Sequence, residues 1–380
     1  MITRAIEESI RKMSRQYPVI LVQGPRQSGK TTLCKALFPD KPYILLEDPD
    51  TRLAATEDPR SFLSKYPEGA VLDEVQRVPH LLSYIQGIVD EKNNPGMFIL
   101  TGSSSILLMD NVTQSLSGRV AVFTLLPLSV DEASGLYPSD TMESFIVNGG
   151  YPRLLTQKMD AGYYYDNYVS TYVEKDVRSI LKIKDSDLFR KFIRLCAGRI
   201  GSILEITNLA RDCGINQKTC SQWLSILESS YICFKLNPFF LNRNKRLIKS
   251  PKIYFFDTGL ACALLGITSE NQLENDQMVG NLFENLVILE HFKKSFNTIN
   301  LEKQYYYRTS DGIEVDLIEE KQGRLFPTEI KYGKTFNNQW VKGIKVFRSE
   351  YPQSEEGTII YTGSQCFSFN GINVSNEILK

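Results

Sequence analysis

The sequence has very little histidine and no paired-cysteine motif, and both shortages bear on metal binding. His80 and His291 are its two histidines, and none of its seven cysteines belongs to a C-x-x-C pair. Structural zinc sites are built from closely spaced Cys and His ligands, so the sequence argues against one. An odd number of scattered cysteines is typical of a protein in a reducing compartment, and we expect a cytoplasmic location.

The chain also lacks a net charge and a long apolar run. Its 44 basic and 44 acidic residues cancel, so a surface for nucleic acid must be a local patch. The longest apolar stretch, residues 253–267, is interrupted by Asp257 and is too short to cross a bilayer. Residues 1–15 mix charged and apolar side chains, which does not fit a signal peptide. We therefore expect no membrane partner.

What the sequence does contain is a regular alternation of apolar runs and helical segments in its first third. Four apolar runs, the first at residues 18–23 and the last at 97–100, are separated by segments with helical periodicity. Continuous apolar strands between helices predict a parallel sheet that is covered on both faces. Helical periodicity follows, and strands return after residue 252. These changes predict four stretches, at residues 1–128, 129–187, 188–256 and 257–380.

A glycine-rich loop follows the first apolar run. Residues 24–31 read G-P-R-Q-S-G-K-T and match the pattern G-x-x-x-x-G-K-[ST] at every fixed position, between a strand and a helix. The glycines let backbone N–H groups face phosphates, Lys30 would reach the β- and γ-phosphates, and Thr31 would offer its hydroxyl to magnesium. The sequence therefore predicts a site for ATP with Mg²⁺. Its expected contact residues are Gly24, Pro25, Arg26, Gln27, Ser28, Gly29, Lys30, Thr31, Thr32 and Thr101.

Polar side chains follow two later apolar runs and a glycine. Asp73 and Glu74 form a Walker B pattern, in which Asp73 would hold magnesium and Glu74 would act as general base on the attacking water. Thr101 or Ser103 would lie in the nucleotide crevice and sense the γ-phosphate, or would cap a helix instead. Arg119 is the candidate arginine finger, in cis or from a neighbouring subunit of a homo-oligomer. A surface salt bridge is the alternative for Arg119.

The middle of the chain has the element order of a winged helix-turn-helix. Three helical segments with a glycine turn are followed by two apolar strands that flank a basic loop, residues 242–250. The third helix would present polar side chains to phosphates or base edges of DNA or RNA. A module that binds a protein partner is the alternative. The candidate contacts are Asn216, Gln217, Lys218, Ser221 and Gln222 on the helix, and Arg243, Lys245, Arg246 and Lys249 in the loop.

Acidic residues in the last stretch have the order of a metal-dependent nuclease core. Glu284 lies within an apolar helix, where a carboxylate needs a partner or a metal. Period-two alternation places Glu329 and Lys331 on one face of a strand that follows the strand of Asp316. Asp316 and Glu329 would hold a hard cation, and Glu284 would complete its shell. Lys331 would stabilise the transition state. The alternative is a buried ion-pair network that cuts nothing.

These motifs together resemble a large prokaryotic family that joins an AAA+ ATPase to a C-terminal domain of uncharacterised function. The resemblance rests on the loop at 24–31, L-D-E-V-Q at 72–76, L-T-G-S at 100–103, G-R at 118–119, L-P-L-S at 126–129 and N-G-G-Y-P at 148–152. It covers essentially the whole chain and implies an AAA+-type ATPase, close to signal-transducing ATPases with numerous domains, without a particular substrate. The acids with E-x-K resemble the PD-(D/E)-x-K nuclease core.

The expected fold is therefore α/β: a P-loop AAA+ type parallel sheet, then a helical and winged-helix region, then an α/β restriction-endonuclease-like domain. The functional hypothesis is a Mg²⁺-dependent ATPase whose nucleotide state controls a module facing DNA or RNA, with nuclease activity left open. The alternative is an ATP-dependent regulatory switch that recruits a protein partner and carries an inactive nuclease-like domain.

Overall fold

Two units make up the chain, and each is described by itself. The structure is a computed structural model that describes residues 2–103, 112, 114–173, 186–240, 250–299 and 302–378. The first unit comprises residues 1–132, 229–231 and 296–299, and the second comprises residues 133–228, 232–295 and 300–380. None of the described helices has the length and hydropathy that a bilayer crossing requires.

A parallel sheet is the centre of the first unit. Its strands are β1 (Val19–Gly24), β2 (Tyr43–Leu45), β3 (Val71–Asp73), β4 (Phe98–Ser103) and β5 (Val120–Thr124). They lie in the order β2-β3-β4-β1-β5, and every pair of neighbours is parallel. The carboxyl ends of β1, β3 and β4 therefore meet at one edge of the sheet, where the phosphate loop begins.

Helices cover both faces of this sheet. They are α1 (Glu7–Ser14), α2 (Lys30–Leu37), α3 (Pro49–Glu57), α4 (Pro59–Ser64) and α5 (Leu81–Lys92), with a 3₁₀ turn at Val75–Arg77. Every residue of β1 is buried: Val19 and Leu21 belong to one apolar cluster, and Ile20 and Val22 to the other. The covered parallel sheet predicted from the continuous apolar runs is confirmed.

The second unit begins with helices. In chain order they are α6 (Met142–Asn148), α7 (Pro152–Thr156), α8 (Ala161–Tyr168), a π-helical turn at Val169–Val173, α9 (Ser186–Ala197), α10 (Ile206–Cys213), α11 (Gln217–Ser229), α12 (Thr258–Leu265), α13 (Glu270–Glu274), α14 (Val279–Asn297) and α15 (Lys342–Glu350). Helix α12 packs on α6 and α8. Asp257 caps α12 and accepts a 2.8 Å hydrogen bond from the N–H of Gly150. This helical layer therefore continues across residue 256, where the sequence pattern placed a boundary.

Helices α9, α10 and α11 come directly before a small antiparallel sheet of β6 (Cys233–Leu236) and β7 (Lys252–Phe255). The indole of Trp223 on α11 packs edge-on against the rings of Phe189 and Phe192 on α9, with centroids 5.2 Å from each. The apolar faces of α9 and α11 thus meet in one core. The loop residues Arg243, Lys245, Arg246 and Lys249 lie outside the described residues.

A six-stranded mixed sheet ends the chain. Its strands are β8 (Lys303–Arg308), β9 (Glu314–Lys321), β10 (Arg324–Lys331), β11 (Thr358–Tyr361), β12 (Phe367–Phe369) and β13 (Ile372–Ser375), with a 3₁₀ turn at Asn338–Val341. Their order is β12-β13-β11-β10-β9-β8. Strands β8, β9 and β10 are antiparallel neighbours, whereas β10, β11 and β13 run parallel. Asp316 and Glu329 therefore stand on adjacent strands.

Candidate nucleotide site and C-terminal carboxylate cluster

Two glycines of the phosphate loop have backbone conformations that a side chain would strain. Gly24 has φ +146°, and a Cβ built there would lie 2.2 Å from the carbonyl oxygen of Leu125. Gly29 has φ +98° and precedes the first residue of α2. Both values lie where a side chain is strained. The loop therefore curls onto the amino end of α2, where backbone N–H groups and the helix dipole favour phosphate.

Lys30 is held inside this loop. Its side chain is buried, and its ammonium donates to the carbonyl oxygens of Gly24 and Pro25 at 3.0 and 2.8 Å. Burial lowers the pKa of Lys30 to about 8, although the carboxylates of Glu74 and Asp73 act in the opposite direction. A phosphate group entering the loop would replace the two carbonyl oxygens as partner of the ammonium.

Asp73 is the centre of a hydroxyl cluster at the end of β3. Its Oδ2 accepts hydrogen bonds from the hydroxyls of Thr31 at 2.7 Å and Tyr43 at 2.5 Å, and its Oδ1 contacts the hydroxyl of Thr101. A hydroxyl and a carboxylate side by side at the loop are oxygen donors of the kind that Mg²⁺ prefers. The residues present therefore fit this ion, and Thr31 and Asp73 would hold it.

Two residues of this cluster differ from the sequence expectation. Thr101, predicted to sense the γ-phosphate, is completely buried, and its hydroxyl points to Asp73. In the structure, this contact orients the Asp73 carboxylate. Tyr43 was missed, because a tyrosine in a short apolar strand reads as a core residue. A signal was available in its position: β2 lies beside β3 and ends at the same sheet edge.

Glu74 lies next to this cluster with a constrained backbone. Its φ of +59° is in the left-handed region, which is uncommon for a residue with a side chain. Its carboxylate contacts the amide of Gln76, which also donates to Ser103 Oγ at 2.9 Å. Glu74 is half-buried, so its carboxylate is fixed by these neighbours and still open to solvent.

Arg119 lies at the amino ends of the strands, opposite the end where the phosphate loop begins. The N–H of Val19, the first residue of β1, donates to the carbonyl oxygen of Arg119, whereas the phosphate loop leaves the far end of β1. The Arg119 guanidinium binds both carboxylate oxygens of Asp90. Within one chain, Arg119 therefore lies the length of β1 away from the phosphate loop, and its contact there is the salt bridge with Asp90.

Arg4 is a loop-binding residue that sequence reasoning missed. Its guanidinium is buried and donates to the carbonyl oxygens of Ser28 at 3.0 Å and Leu126 at 2.7 Å. It also forms an ion pair of 3.2 Å with Glu132. One arginine near the amino terminus thus ties the phosphate loop to the chain that follows β5. A single charged residue in an amphipathic segment carried no signal for this role.

The remaining predicted loop residues surround these groups. Pro25 and Ser28 are buried, Arg26, Gln27 and Thr31 are half-buried, and Thr32 is exposed on the first turn of α2.

Asp316, Glu329 and Lys331 meet in the second unit. The Lys331 ammonium lies 3.1 Å from Asp316 Oδ2 and 2.7 Å from Glu329 Oε1. Asp316 also accepts a 2.8 Å hydrogen bond from the N–H of Ile330. Burial, together with the charge of Asp316, raises the pKa of Glu329 above its usual value, although Lys331 works against this. Of the described side chains, none forms a hydrogen bond with the other oxygen of Glu329, Oε2.

Glu284 has a different partner from the one predicted. Its Oε1 lies 3.1 Å from the ammonium of Lys252 and accepts from the hydroxyl of Tyr254, both on β7. The same ammonium contacts Glu314. Burial raises the pKa of Glu284, and Lys252 partly offsets this. The compensation that a carboxylate on an apolar helix requires therefore comes from β7, where a lysine opening a buried strand was the overlooked signal.

Glu284, Asp316 and Glu329, which were predicted to share one metal ion, are each paired with a lysine. Among the described residues, no group of three or more His, Cys, Asp or Glu side chains is arranged to hold a metal. The physical reason is that each carboxylate is turned toward a lysine: Glu284 toward Lys252, and Asp316 and Glu329 toward Lys331. The residues form the ion-pair network that was the alternative prediction.

The polar residues of α11 lie on its open side. Their side chains are exposed, whereas Cys220 between them and Trp223 and Leu224 after them are buried. Two of them have local partners: Asn216 Oδ1 accepts from the N–H of Thr219 at 2.8 Å, and the Gln217 amide donates to Thr207 at 3.1 Å. The exposed residues are Asn216, Gln217, Lys218, Ser221 and Gln222.

Family models match nearly the whole chain in three segments. An AAA domain matches residues 16–134. Two domains of unknown function follow: DUF8612 over residues 139–271 and DUF4143 over residues 279–378. The first model spans the parallel sheet and the phosphate loop, so the first unit is an AAA-type P-loop domain.

The chain is also similar to whole proteins. An uncharacterized protein of Mycobacterium tuberculosis is 32% identical over 332 residues, which cover 86% of this chain and 73% of that protein. An uncharacterized protein of Methanocaldococcus jannaschii is 26% identical over 338 residues, with 78% and 71% covered. Among solved structures, the Walker-type ATPase of Pyrococcus abyssi has a TM-score of 0.49 and 18% identity, with 70% and 96% covered. This chain therefore belongs to the same family as the mycobacterial protein.

Proposed function

We propose that this protein is a Mg²⁺-dependent ATPase whose nucleotide state controls a nucleic-acid-facing module in its second unit. The observation that carries the first half is the convergence of Lys30, Thr31 and Asp73 at one sheet edge, with the Thr31 hydroxyl 2.7 Å from the Asp73 carboxylate. A P-loop lysine, a hydroxyl and a Walker acid in that arrangement suit phosphoryl transfer.

Each residue has one role in this proposal. Lys30 moves from the loop carbonyls to the β- and γ-phosphates, and Thr31 and Asp73 hold the magnesium, which neutralises charge on the phosphate oxygens when bound. Glu74 accepts the proton of the attacking water. Tyr43 and Thr101 keep the Asp73 carboxylate turned toward the loop before nucleotide arrives.

The experiment is ATP turnover by the full chain with Mg²⁺. Lys30→Ala should abolish turnover and weaken ATP binding, because the phosphates lose their buried cation. Exposed Lys12→Ala, on α1, is the control for a general effect of removing a positive charge from this unit. Turnover by Lys30→Ala at the wild-type rate would contradict the proposal that this loop is the ATPase site.

Arg119 enters the proposal only as a residue acting on a neighbouring subunit. It would have to leave Asp90 to do so, at a modest cost because exposed ion pairs contribute little. Arg119→Ala should then bind ATP normally and hydrolyse it slowly. Mixed oligomers of Arg119→Ala with Glu74→Gln should recover part of the activity. No recovery in a verified mixed oligomer leaves Arg119 with its structural salt bridge alone.

The second half of the proposal rests on the open face of α11. Between residues 217 and 227 this helix contains one lysine and no acid, and its polar side chains are exposed. The order of α9, α10, α11, β6 and β7 supports a winged helix, whose third helix would face DNA or RNA. We infer that Lys218 contacts a phosphate and that Gln222 lies near base edges.

Binding of labelled DNA and RNA over a range of salt concentrations tests this inference. Lys218→Glu should weaken binding by about tenfold and lower the salt slope by about one. Lys345→Glu, an exposed lysine on α15, gives the same change of charge away from α11 and should have little effect. Binding should also differ between the ATP and ADP states. If wild type shows no salt-sensitive binding, a protein partner becomes the better reading.

A further inference from the structure

Lys252 is a buried cation in the second unit that no part of the ATPase proposal uses. It opens β7, and its side chain is 3% exposed. Its ammonium lies 3.1 Å from Oε1 of Glu284 on α14 and contacts Oε1 of Glu314 on β9. One lysine thus joins the small sheet to both the long helix and the six-stranded sheet.

The surroundings keep this lysine charged. Burial works against the ammonium, but the carboxylates of Glu284, Asp316 and Glu314 outweigh it and raise the pKa of Lys252 above its usual value. A buried ammonium is tolerated when opposite charges surround it and its hydrogens have acceptors. Lys252 is therefore a buried positive charge held between the carboxylates of Glu284 and Glu314.

Two lysines divide four carboxylates between them. Lys252 forms ion pairs with Glu284 and Glu314. Lys331 forms ion pairs with Asp316 and Glu329, at 3.1 and 2.7 Å. The two pairs are neighbours, because Glu314 and Asp316 lie two residues apart on β9 and therefore on one face of it. A cluster of this composition would ordinarily attract a divalent cation. Here the positive charge is already supplied by the chain.

We propose that the Lys252 ammonium is the resident cation of this carboxylate cluster and excludes divalent metal ions from it. An incoming Mg²⁺ or Mn²⁺ would have to share the carboxylates with a buried ammonium that already pairs with Glu284 and Glu314. Removing that one charge should convert the cluster into a divalent-cation site, with Glu284, Glu314 and Asp316 as its oxygen donors. Metal-dependent chemistry in this domain then requires Lys252 to be absent or displaced.

The test is Mn²⁺ binding to the full chain without nucleotide, followed by calorimetry and by the electron paramagnetic resonance of free Mn²⁺. Wild type should bind no Mn²⁺ that depends on Asp316. Lys252→Met, which keeps the length of the side chain, should bind one ion at least roughly a hundredfold more tightly than wild type, because a nearby repelling charge is gone. Adding Asp316→Asn to Lys252→Met should abolish the gain.

Two controls separate the position of the charge from a general effect. Lys252→Arg keeps the charge and should bind Mn²⁺ no better than wild type. Lys293→Met removes another buried lysine, paired with Glu290 at 2.8 Å, and should also give no gain. If Lys252→Met does not fold, Lys252→Met with Glu314→Gln removes one charge of each sign and is compared with Glu314→Gln alone. It should still show the gain.

Two results would overturn the proposal. The first is Mn²⁺ binding by wild type that is lost in Asp316→Asn, since the cluster would then accept a metal beside Lys252. The second is a folded Lys252 variant that binds Mn²⁺ no better than its matched control. Either result leaves the ATPase proposal untouched, because the phosphate loop and Asp73 take no part in the measurement.

Discussion

The Thr31 hydroxyl donates a 2.7 Å hydrogen bond to Asp73 Oδ2, and this contact links the first turn of α2 to the end of β3. Tyr43 donates to the same oxygen at 2.5 Å. The acid is therefore oriented before a nucleotide binds, and its orientation depends on hydroxyl donors from two other elements of the sheet layer.

Tyr43→Phe should raise the Mg²⁺ concentration needed for half-maximal ATP turnover by roughly tenfold, because a hydrogen bond to a charged group is lost. The ring that packs 3.6 Å from the Lys35 ammonium is kept. Tyr84→Phe, at a partly exposed tyrosine on α5, should leave the Mg²⁺ requirement unchanged. An unchanged requirement in Tyr43→Phe would show that Asp73 needs no support from β2.

Arg4→Met should weaken ATP binding and destabilise the first unit by about 2–4 kcal/mol, since it leaves Glu132 buried without its cation and two carbonyl oxygens without a donor. Binding of a fluorescent nucleotide and urea unfolding would measure the two effects. Arg11→Met removes an exposed arginine from α1, the helix that follows Arg4, and is the control. Equal affinities in Arg4→Met and Arg11→Met would contradict a role for Arg4 in holding the loop.

ATP binding should become weaker as the pH rises above about 8, because Lys30 then loses its proton in the free protein. The bound phosphates require the charged form, so binding at higher pH must take up a proton. The dissociation constant should rise by at most about tenfold for each pH unit above that value. Calorimetry in two buffers of different ionisation enthalpy would reveal the proton. A constant affinity between pH 7 and 9, with no proton uptake, would contradict the buried ammonium.

Glu329→Gln should stabilise the second unit relative to wild type, and increasingly so as the pH rises. Burial raises the pKa of Glu329 from 4.5 to about 8, with a further contribution from Asp316. The protonated form is thus favoured in the folded state, and the charged form costs stability that is absent below pH 4.5 and complete above about pH 8.

Tryptophan fluorescence suits this measurement, because Trp223 and Trp340, the two tryptophans of the chain, both lie in the second unit. Urea unfolding gives the free energy of unfolding of Glu329→Gln relative to wild type. This stabilisation should be larger at pH 8 than at pH 5 by on the order of 1–3 kcal/mol. Glu355→Gln, at the more exposed ion pair with Arg324, should give a gain that varies little with pH. A pH-independent difference for Glu329→Gln would contradict the account of its burial.

The elements built from local patterns were predictable from the sequence. The phosphate loop depends on Gly24, Gly29 and Lys30 at fixed spacing, and the parallel sheet depends on continuous apolar runs; both signals are local. Thr31 and Asp73 followed from the same reasoning, because parallel strands bring their carboxyl ends to one edge.

Partners that are distant in sequence were not predictable. Arg4 meets Leu126, and Lys252 meets Glu284, through tertiary packing that no periodicity encodes. Glu284 was predicted to need a compensating partner because it lies on an apolar helix, and it pairs with Lys252. Only the structure identifies the compensating group. Either a metal ion or a lysine from another strand can compensate the charge of a buried carboxylate, and the sequence does not distinguish them.

ATP turnover by Glu74→Gln is the measurement that tests the central claim most directly. The substitution keeps the shape of a side chain whose backbone has φ +59° and removes the base. The account predicts ATP binding close to that of wild type and turnover with Mg²⁺ that is slower by at least about a hundredfold. Wild-type turnover by Glu74→Gln, or no turnover by wild type with Mg²⁺ under any condition that supports binding, would contradict it.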